Sequence, residues 1–141
     1  MSDRKLFASP QDAEAAFYDA LERCDLDAMM AVWAEDEEVV CVHPGGPRLV
    51  GYATVRDAWQ RVFANGRKLR VQIVQQTSIT TPFAMVSTLL EHISARGEDA
   101  TSAPVAATNV YVRGAMGWRM VAHHASPVPP SSVAEAPRTL H

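Results

Sequence analysis

Glu91 stands in an otherwise largely apolar run, Phe83 to Ala95, where it alternates with Leu89 and Ile93. If that run is a strand and this face is interior, the carboxylate is desolvated and its pKa rises, which suits a general base or acid near neutral pH. The alternative is a carboxylate paired with Arg70 or Arg113 on a neighbouring strand, or turned to solvent near the strand end. His43 closes a second apolar run, Val39 to Val42, and is followed by Pro44-Gly45-Gly46-Pro47. Proline biases His43 away from the helical region and the glycines force a reversal, so this imidazole sits where a rigid element gives way to a loop. There it can serve a cavity as donor or general acid; otherwise it is a turn histidine satisfying a backbone carbonyl.

His123 and His124 are adjacent in a strand-like run and must point to opposite faces. At most one of them belongs to a pocket, and parity helps little in choosing: His124 shares it with Trp118 and Met120 and is preferred, whereas His123 shares it with Arg119 and Val121, a face that reads as wet or interfacial. The other reading of His124 is a hydrogen bond at a dimer seam. Asn109 interrupts a small, apolar strand, and a buried amide needs partners, so it is a ligand contact or part of a buried network. Trp33, Tyr52, Trp59, Tyr111 and Trp118 are expected as core or cavity lining. Glu91, His43 and His124 are thus the candidate catalytic residues, with Asn109 and the aromatics as candidate binding residues for a small, partly apolar molecule.

Other chemistries find less support. Cys41-Val42-His43 places two metal-ligand types on one strand face, but no Cys-x-x-Cys or His-x-x-x-His completes a tetrahedral site, so no metal and no cofactor is expected. No G-x-S-x-G elbow and no phosphate-binding glycine loop occurs. Cys24 and Cys41 are too few for a disulfide framework and read as free, buried thiols.

These residues need elements to hold them. Ala13, Ala16, Phe17, Ala20, Leu21 and Cys24 recur at helical spacing over Gln11 to Arg23, with Ser9 as N-cap and Pro10 at the first helical position. A second short helix runs from Leu26 to Trp33, and the acidic stretch Glu35 to Glu38 reads as a solvated turn. After the glycine turn and a short extended passage, Leu49 to Tyr52, Thr54 is expected to cap a third helix reaching about Asn65, with Val55, Ala58, Trp59, Val62 and Phe63 as its stripe. The period then changes to two. Lys68 to Thr80, Phe83 to Ala95, Val105 to Arg113 and Trp118 to Ser126 read as four long strands of an antiparallel meander, the middle two joined by a polar turn over Arg96 to Ser102. The reading is an α+β fold with a curved sheet and helices over one face.

Length and charge bound the rest. The 141 residues are 48% hydrophobic and 21% charged, enough for one well-cored domain, with a net charge of −3 and no basic cluster; nucleic acid is not an expected partner. The polar start Met-Ser-Asp-Arg-Lys is not followed by a secretory apolar core, and no apolar run is long enough to span a bilayer, so the expectation is a cytoplasmic protein with no membrane partner. The division expected is a flexible N-terminus over 1–10, a domain over 11–126 and a proline-rich tail over 127–141.

From about Ala13 to Pro127 the chain resembles the NTF2-like superfamily, in particular its SnoaL-like and ketosteroid isomerase-like branch. The residues carrying the resemblance are Phe17-Tyr18, Asp25-Leu26-Asp27 before Trp33, Val42-His43-Pro44-Gly45-Gly46-Pro47, Gly51 with Trp59, Glu91, Ala107-Thr108-Asn109-Val110, and Trp118-Arg119-Met120-Val121 followed by His124-Ala125-Ser126. The closing strand is also similar to that of the association domain of calcium/calmodulin-dependent protein kinase II, a non-catalytic member of the superfamily. The resemblance implies a cone: a strongly bent, mainly antiparallel sheet whose three N-terminal helices cover an apolar pocket, and commonly a homodimer through the outer sheet face. It implies either an isomerase- or cyclase-type enzyme acting by proton transfer or a non-catalytic binding or dimerisation module, since the fold serves both. In the isomerase and cyclase relatives a pocket aspartate is the base; no aspartate of this chain falls in a strand interior.

Overall fold

A computed structural model describes residues 5–95, 97 and 104–129. Helices α1 (Pro10–Arg23) and α2 (Leu26–Val32) form an almost loopless pair, followed by the short strands β1 (Val40–Val42) and β2 (Arg48–Val50) and helix α3 (Tyr52–Phe63). Four long strands close the chain: β3 (Leu69–Thr80), β4 (Ala84–Ala95), β5 (Val105–Gly114) and β6 (Gly117–Pro127). They make one six-stranded sheet in the order β2-β1-β6-β5-β4-β3. The meander β3 to β6 is antiparallel, as its alternation predicts, whereas β1 joins β6 in parallel and so brings the strand that leads to His43 alongside the histidine pair.

Local chemistry sets the helix ends. The Ser9 hydroxyl accepts the Asp12 amide at 3.0 Å and Pro10 occupies the first turn, as expected. The third helix starts two residues before the expected Thr54 cap. Gly51, at φ 101, turns the chain into the helix with no capping side chain; its carbonyl accepts the first intrahelical bond from the Val55 amide at 2.9 Å, and the Tyr52 amide donates instead to the Asp36 carbonyl at 3.1 Å.

Helix α1 lies across the concave face of the sheet. Its stripe of Ala13, Phe17, Ala20 and Leu21 is buried against Met85 and Leu89 of β4, Ala107 and Tyr111 of β5, and Met120 and Ala125 of β6. Complete burial of Phe17 alone contributes about 1.5–3 kcal/mol. Residues ahead of α1 also belong to this packing: Phe7 is 4% exposed, pairs with Gly117 in a bridge and lies under the Arg119 guanidinium. The stretch over 1–10, expected to be flexible, thus includes a buried aromatic that packs onto the sheet. At the other end β6 runs to Pro127 and the Val128 amide still bonds Pro104, while residues 130–141 of the expected tail, and the expected turn over Arg96 to Ser102 apart from Gly97, lie outside the described residues.

Two bulges interrupt the sheet, and both re-aim side chains at the interior. In β3 the register with β4 slips between Val74 and Thr77, with Gln75 at φ 55, and this turns Gln76 inward. In β6 the pairing passes from Val110↔Ala122 to Tyr111↔Met120, which leaves Val121 as the extra residue. Among the described residues no helix is long and apolar enough to cross a membrane.

Candidate functional site

The Val121 bulge decides which histidine enters the cone. Trp118 and Met120 are buried, and uninterrupted alternation would carry His124 to their side; the extra residue inverts parity beyond it, so His123 is 3% exposed and His124 lies on the exposed outer face. The placement of His124 inside is thereby corrected in favour of His123. The register then lines up Ser87 of β4, Asn109 of β5, His123 of β6 and Cys41 of β1 as one row across the concave face.

Helix α1 supplies the other half. Glu14 and Tyr18 are one turn apart, so both lean over this row. The Glu14 carboxylate accepts four hydrogen bonds: from Gln76 Nε2 at 2.5 Å and Ser87 Oγ at 3.2 Å on Oε1, and from Asn109 Nδ2 at 3.1 Å and the Tyr111 hydroxyl at 2.9 Å on Oε2. The Tyr18 hydroxyl donates to Glu91 Oε2 at 2.6 Å and accepts from Asn109 Nδ2 at 2.9 Å. Asn109 Oδ1 lies 2.6 Å from His123 Nδ1. A continuous chain Glu91–Tyr18–Asn109–His123 thus runs through the interior, with Glu14 braced against its middle.

Glu91 is 2% exposed and bonded to Tyr18, while Arg70 and Arg113 are exposed, so the ion-pair alternative for Glu91 does not apply. Burial raises its pKa above the ordinary value, the Tyr18 hydrogen bond opposes this, and repulsion from Glu14 adds to the rise. Burial also holds the Tyr18 and Tyr111 phenols well above their usual range, with Glu91 and Glu14 respectively adding to it. His123 is driven the other way, down to about 3, by burial and then by His43 and His124. It is a neutral imidazole at physiological pH.

His43, just past β1, is half-buried at the edge of an aromatic group rather than in the hydrogen-bonded chain. Its ring meets Trp59 edge-on at 4.5 Å, and Trp59 also faces Phe17 at 5.9 Å, Phe63 at 5.4 Å and His123 at 6.2 Å. Burial, then the charge of Arg61, lowers the His43 pKa. His43 Nε2 approaches Cys41 Sγ at 3.5 Å, and burial pushes that thiol up to about 12, so it is a thiol and not a thiolate nucleophile. The Trp59 indole N–H is buried and has no acceptor among the described residues.

The structure therefore brings Glu91, Asn109 and Tyr111 into one network and places His43 and Trp59 beside its His123 end. The remaining candidates are further off: Trp33 is fully buried at the end of α2 and bridges to Met120, Trp118 is buried near Phe7, and the Tyr52 hydroxyl donates to the Met30 carbonyl at 3.3 Å. Sequence reasoning missed Glu14, Tyr18, Gln76 and Ser87 as site residues, and it preferred His124 to His123. The four-residue spacing of Glu14 and Tyr18, flanking the α1 stripe, was the available signal for the first two; Gln76 and His123 depend on bulges that alternation does not report.

A bent sheet holding α1 in its concavity, with polar groups converging from α1, β4, β5 and β6, defines an NTF2-like protein. Residues 11–130 match the SnoaL-like domain model, and the chain belongs to that family. Among solved structures it is similar to one from Thiobacillus denitrificans named a "putative calcium/calmodulin-dependent protein kinase type II association domain", at 42% identity and TM-score 0.80 over 89% of this chain and 99% of that one. A Streptomyces avermitilis protein named a "putative dehydratase" of the NTF2-like family is 32% identical with TM-score 0.74, over 83% of this chain and 91% of that one. The Arabidopsis thaliana F-box protein SKIP8 is 31% identical over 112 residues, which is 78% of this chain and 46% of the longer protein. The chain thus spans less than half the length of that relative.

Proposed function

We propose that this chain binds a small, partly apolar organic molecule in its cone and moves a proton on it through the Glu91–Tyr18 pair. The observation that carries this reading is a carboxyl 2% exposed, without a salt bridge among the described residues, held 2.6 Å from a phenol. Burying a carboxyl without a cation is costly for stability, whereas a raised pKa is what a base that removes a proton beside a carbonyl, or an acid that protonates a leaving hydroxyl, requires. Asn109 steadies Tyr18 from behind. His43 and the Trp59 indole N–H, which has no acceptor among the described residues, would receive a ligand oxygen at the aromatic end of the site, with Tyr111 held behind it by Glu14, while Trp33, Tyr52 and Trp118 belong to the surrounding packing. Loss of water next to a carbonyl, the reaction class suggested by the dehydratase-named relative, falls within this chemistry.

The test is a thermal-shift screen of small hydroxy- and keto-compounds, followed by assay of the hits for isomerisation or loss of water by wild type and by Glu91→Gln. Binding by both proteins with turnover by wild type alone is expected. Full turnover by the variant would remove Glu91 from the chemistry.

A second reading, a non-catalytic binding or assembly module, is favoured by the 42% identity to the association-domain relative. The outer sheet face suits such a role and supports a homodimer in either reading. There the register aligns Ile79, Val86, Val110 and Ala122 in a row, with Ile79 74% exposed, Val86 38% and the nearby Val112 39%. In this reading the polar chain is a satisfied internal network, and Glu91→Gln changes stability with no activity to lose.

A further inference from the structure

The direction of the hydrogen bonds along the chain fixes more than contacts. Tyr18 has one hydroxyl proton, and its 2.6 Å approach to Glu91 places that proton toward the carboxylate. The Tyr18 oxygen must then accept from Asn109, so the Asn109 group 2.9 Å away is the amide nitrogen. Glu14 requires the same orientation, because its Oε2 lies 3.1 Å from that group and a carboxylate only accepts. Both neighbours leave Asn109 Oδ1 pointing at His123. An oxygen with no proton, 2.6 Å from Nδ1, needs a donor there.

We propose that Asn109, oriented by Glu14 and Tyr18, is a positioning residue that holds His123 in the Nδ1–H tautomer and leaves Nε2 as a bare hydrogen-bond acceptor within the cone. The opposite polarity would need Glu91 to donate to Tyr18, Tyr18 to Asn109 Oδ1, and Glu14 to carry a proton facing that same oxygen. Gln76, Ser87 and Tyr111 all donate to Glu14, so its oxygens act as acceptors throughout, which matches the stated direction. The His123 ring lies among aromatic neighbours, its centroid 4.9 Å from that of Phe17 and 6.2 Å from that of Trp59. The inference deepens the proposed reading by giving the site a neutral hydrogen-bond acceptor for an O–H or N–H of the bound molecule, at the far end of the chain that begins at Glu91. It rests on that reading for its use alone, since its test needs neither ligand nor turnover.

Long-range proton–nitrogen correlation spectra separate a protonated ring nitrogen from a bare one. The chain has five histidines, and loss of one signal set in His123→Gln assigns His123. Wild type is expected to show Nδ1 protonated and Nε2 bare, and Asn109→Leu, which removes the acceptor while keeping volume, is expected to shift His123 toward the Nε2–H form. A wild-type His123 protonated on Nε2 overturns the proposal, as does a folded Asn109→Leu protein that keeps the pure Nδ1–H form. The wild-type spectrum decides the tautomer even where the variant fails to fold. Absence of any enzymatic activity would leave both results interpretable, so failure of the catalytic reading is distinguishable from failure of this one.

Discussion

Acidification should destabilise the protein through His123, and the size of the effect follows from its burial. The folded-state pKa is lowered from 6.5 to about 3, so the unfolded chain binds a proton that the native core refuses. Stability contributed by this group is present above the unfolded value and is lost as pH falls toward the folded one. Each pH unit below 6.5 removes about 1.4 kcal/mol, so going from about pH 8 to about pH 5 costs about 2 kcal/mol. That figure is insensitive to the folded pKa as long as it stays well below 5. His123→Gln keeps a donor for Asn109 Oδ1 and does not titrate. Urea unfolding of both proteins at matched concentration across this range should show wild type losing about 2 kcal/mol relative to the variant. A difference that stays constant with pH would mean that His123 can accept a proton in the folded core, and the account of its burial would fail.

Three further outcomes are expected. Tyr18→Phe removes the donor to Glu91 and the acceptor for Asn109, which should cost about 1–3 kcal/mol in urea unfolding and raise the Glu91 pKa further; an unchanged titration would place the Tyr18 hydroxyl outside the control of Glu91. Gly117→Ala should lower stability by about 1–3 kcal/mol, since its backbone at φ 86 disfavours a side chain and a Cβ would meet the Phe7 carbonyl oxygen at 2.7 Å; a melting temperature equal to wild type would contradict the tight seating of Phe7. Val86→Lys places a charge in the middle of the outer apolar row, and light scattering should show a wild-type dimer converted to monomer; a wild-type monomer at micromolar concentration removes the dimer.

The helices and long strands were legible because their apolar residues recur with clean periods, and Glu91 and Asn109 stood out as polar residues in apolar strands. Parity within β4 and β5 is unbroken, so Glu91 and Asn109 fall inside where alternation puts them. It fails in β6, where Val121 is unpaired, and this exchanged His123 for His124. Nothing in the sequence marks that bulge, which reconciles the packing of Trp118 and Met120 with the row formed by Asn109 and His123. Glu14 was hidden for another reason. A glutamate on an amphipathic helix ordinarily belongs to the solvated face, and the four donors that make its burial tolerable come from three strands distant in sequence. Gln76 combines both obstacles, being a polar residue in an exposed strand segment that a bulge with Gln75 at φ 55 turns inward.

The central claim is that Glu91 is a buried carboxyl poised for proton exchange, and carbon NMR titration of its side-chain carboxyl, assigned by Glu91→Gln, tests it most directly. Burial and the nearby Glu14 outweigh the Tyr18 hydrogen bond, so Glu91 is expected to titrate clearly above the ordinary 4.5. The sign for stability follows: the contribution of Glu91 is complete below 4.5 and is lost as pH rises through the raised folded value, so wild type should lose stability relative to Glu91→Gln over that interval. A carboxyl that titrates at or below 4.5, with a stability difference that does not fall as pH rises, would show a solvated or ion-paired Glu91 and contradict the account.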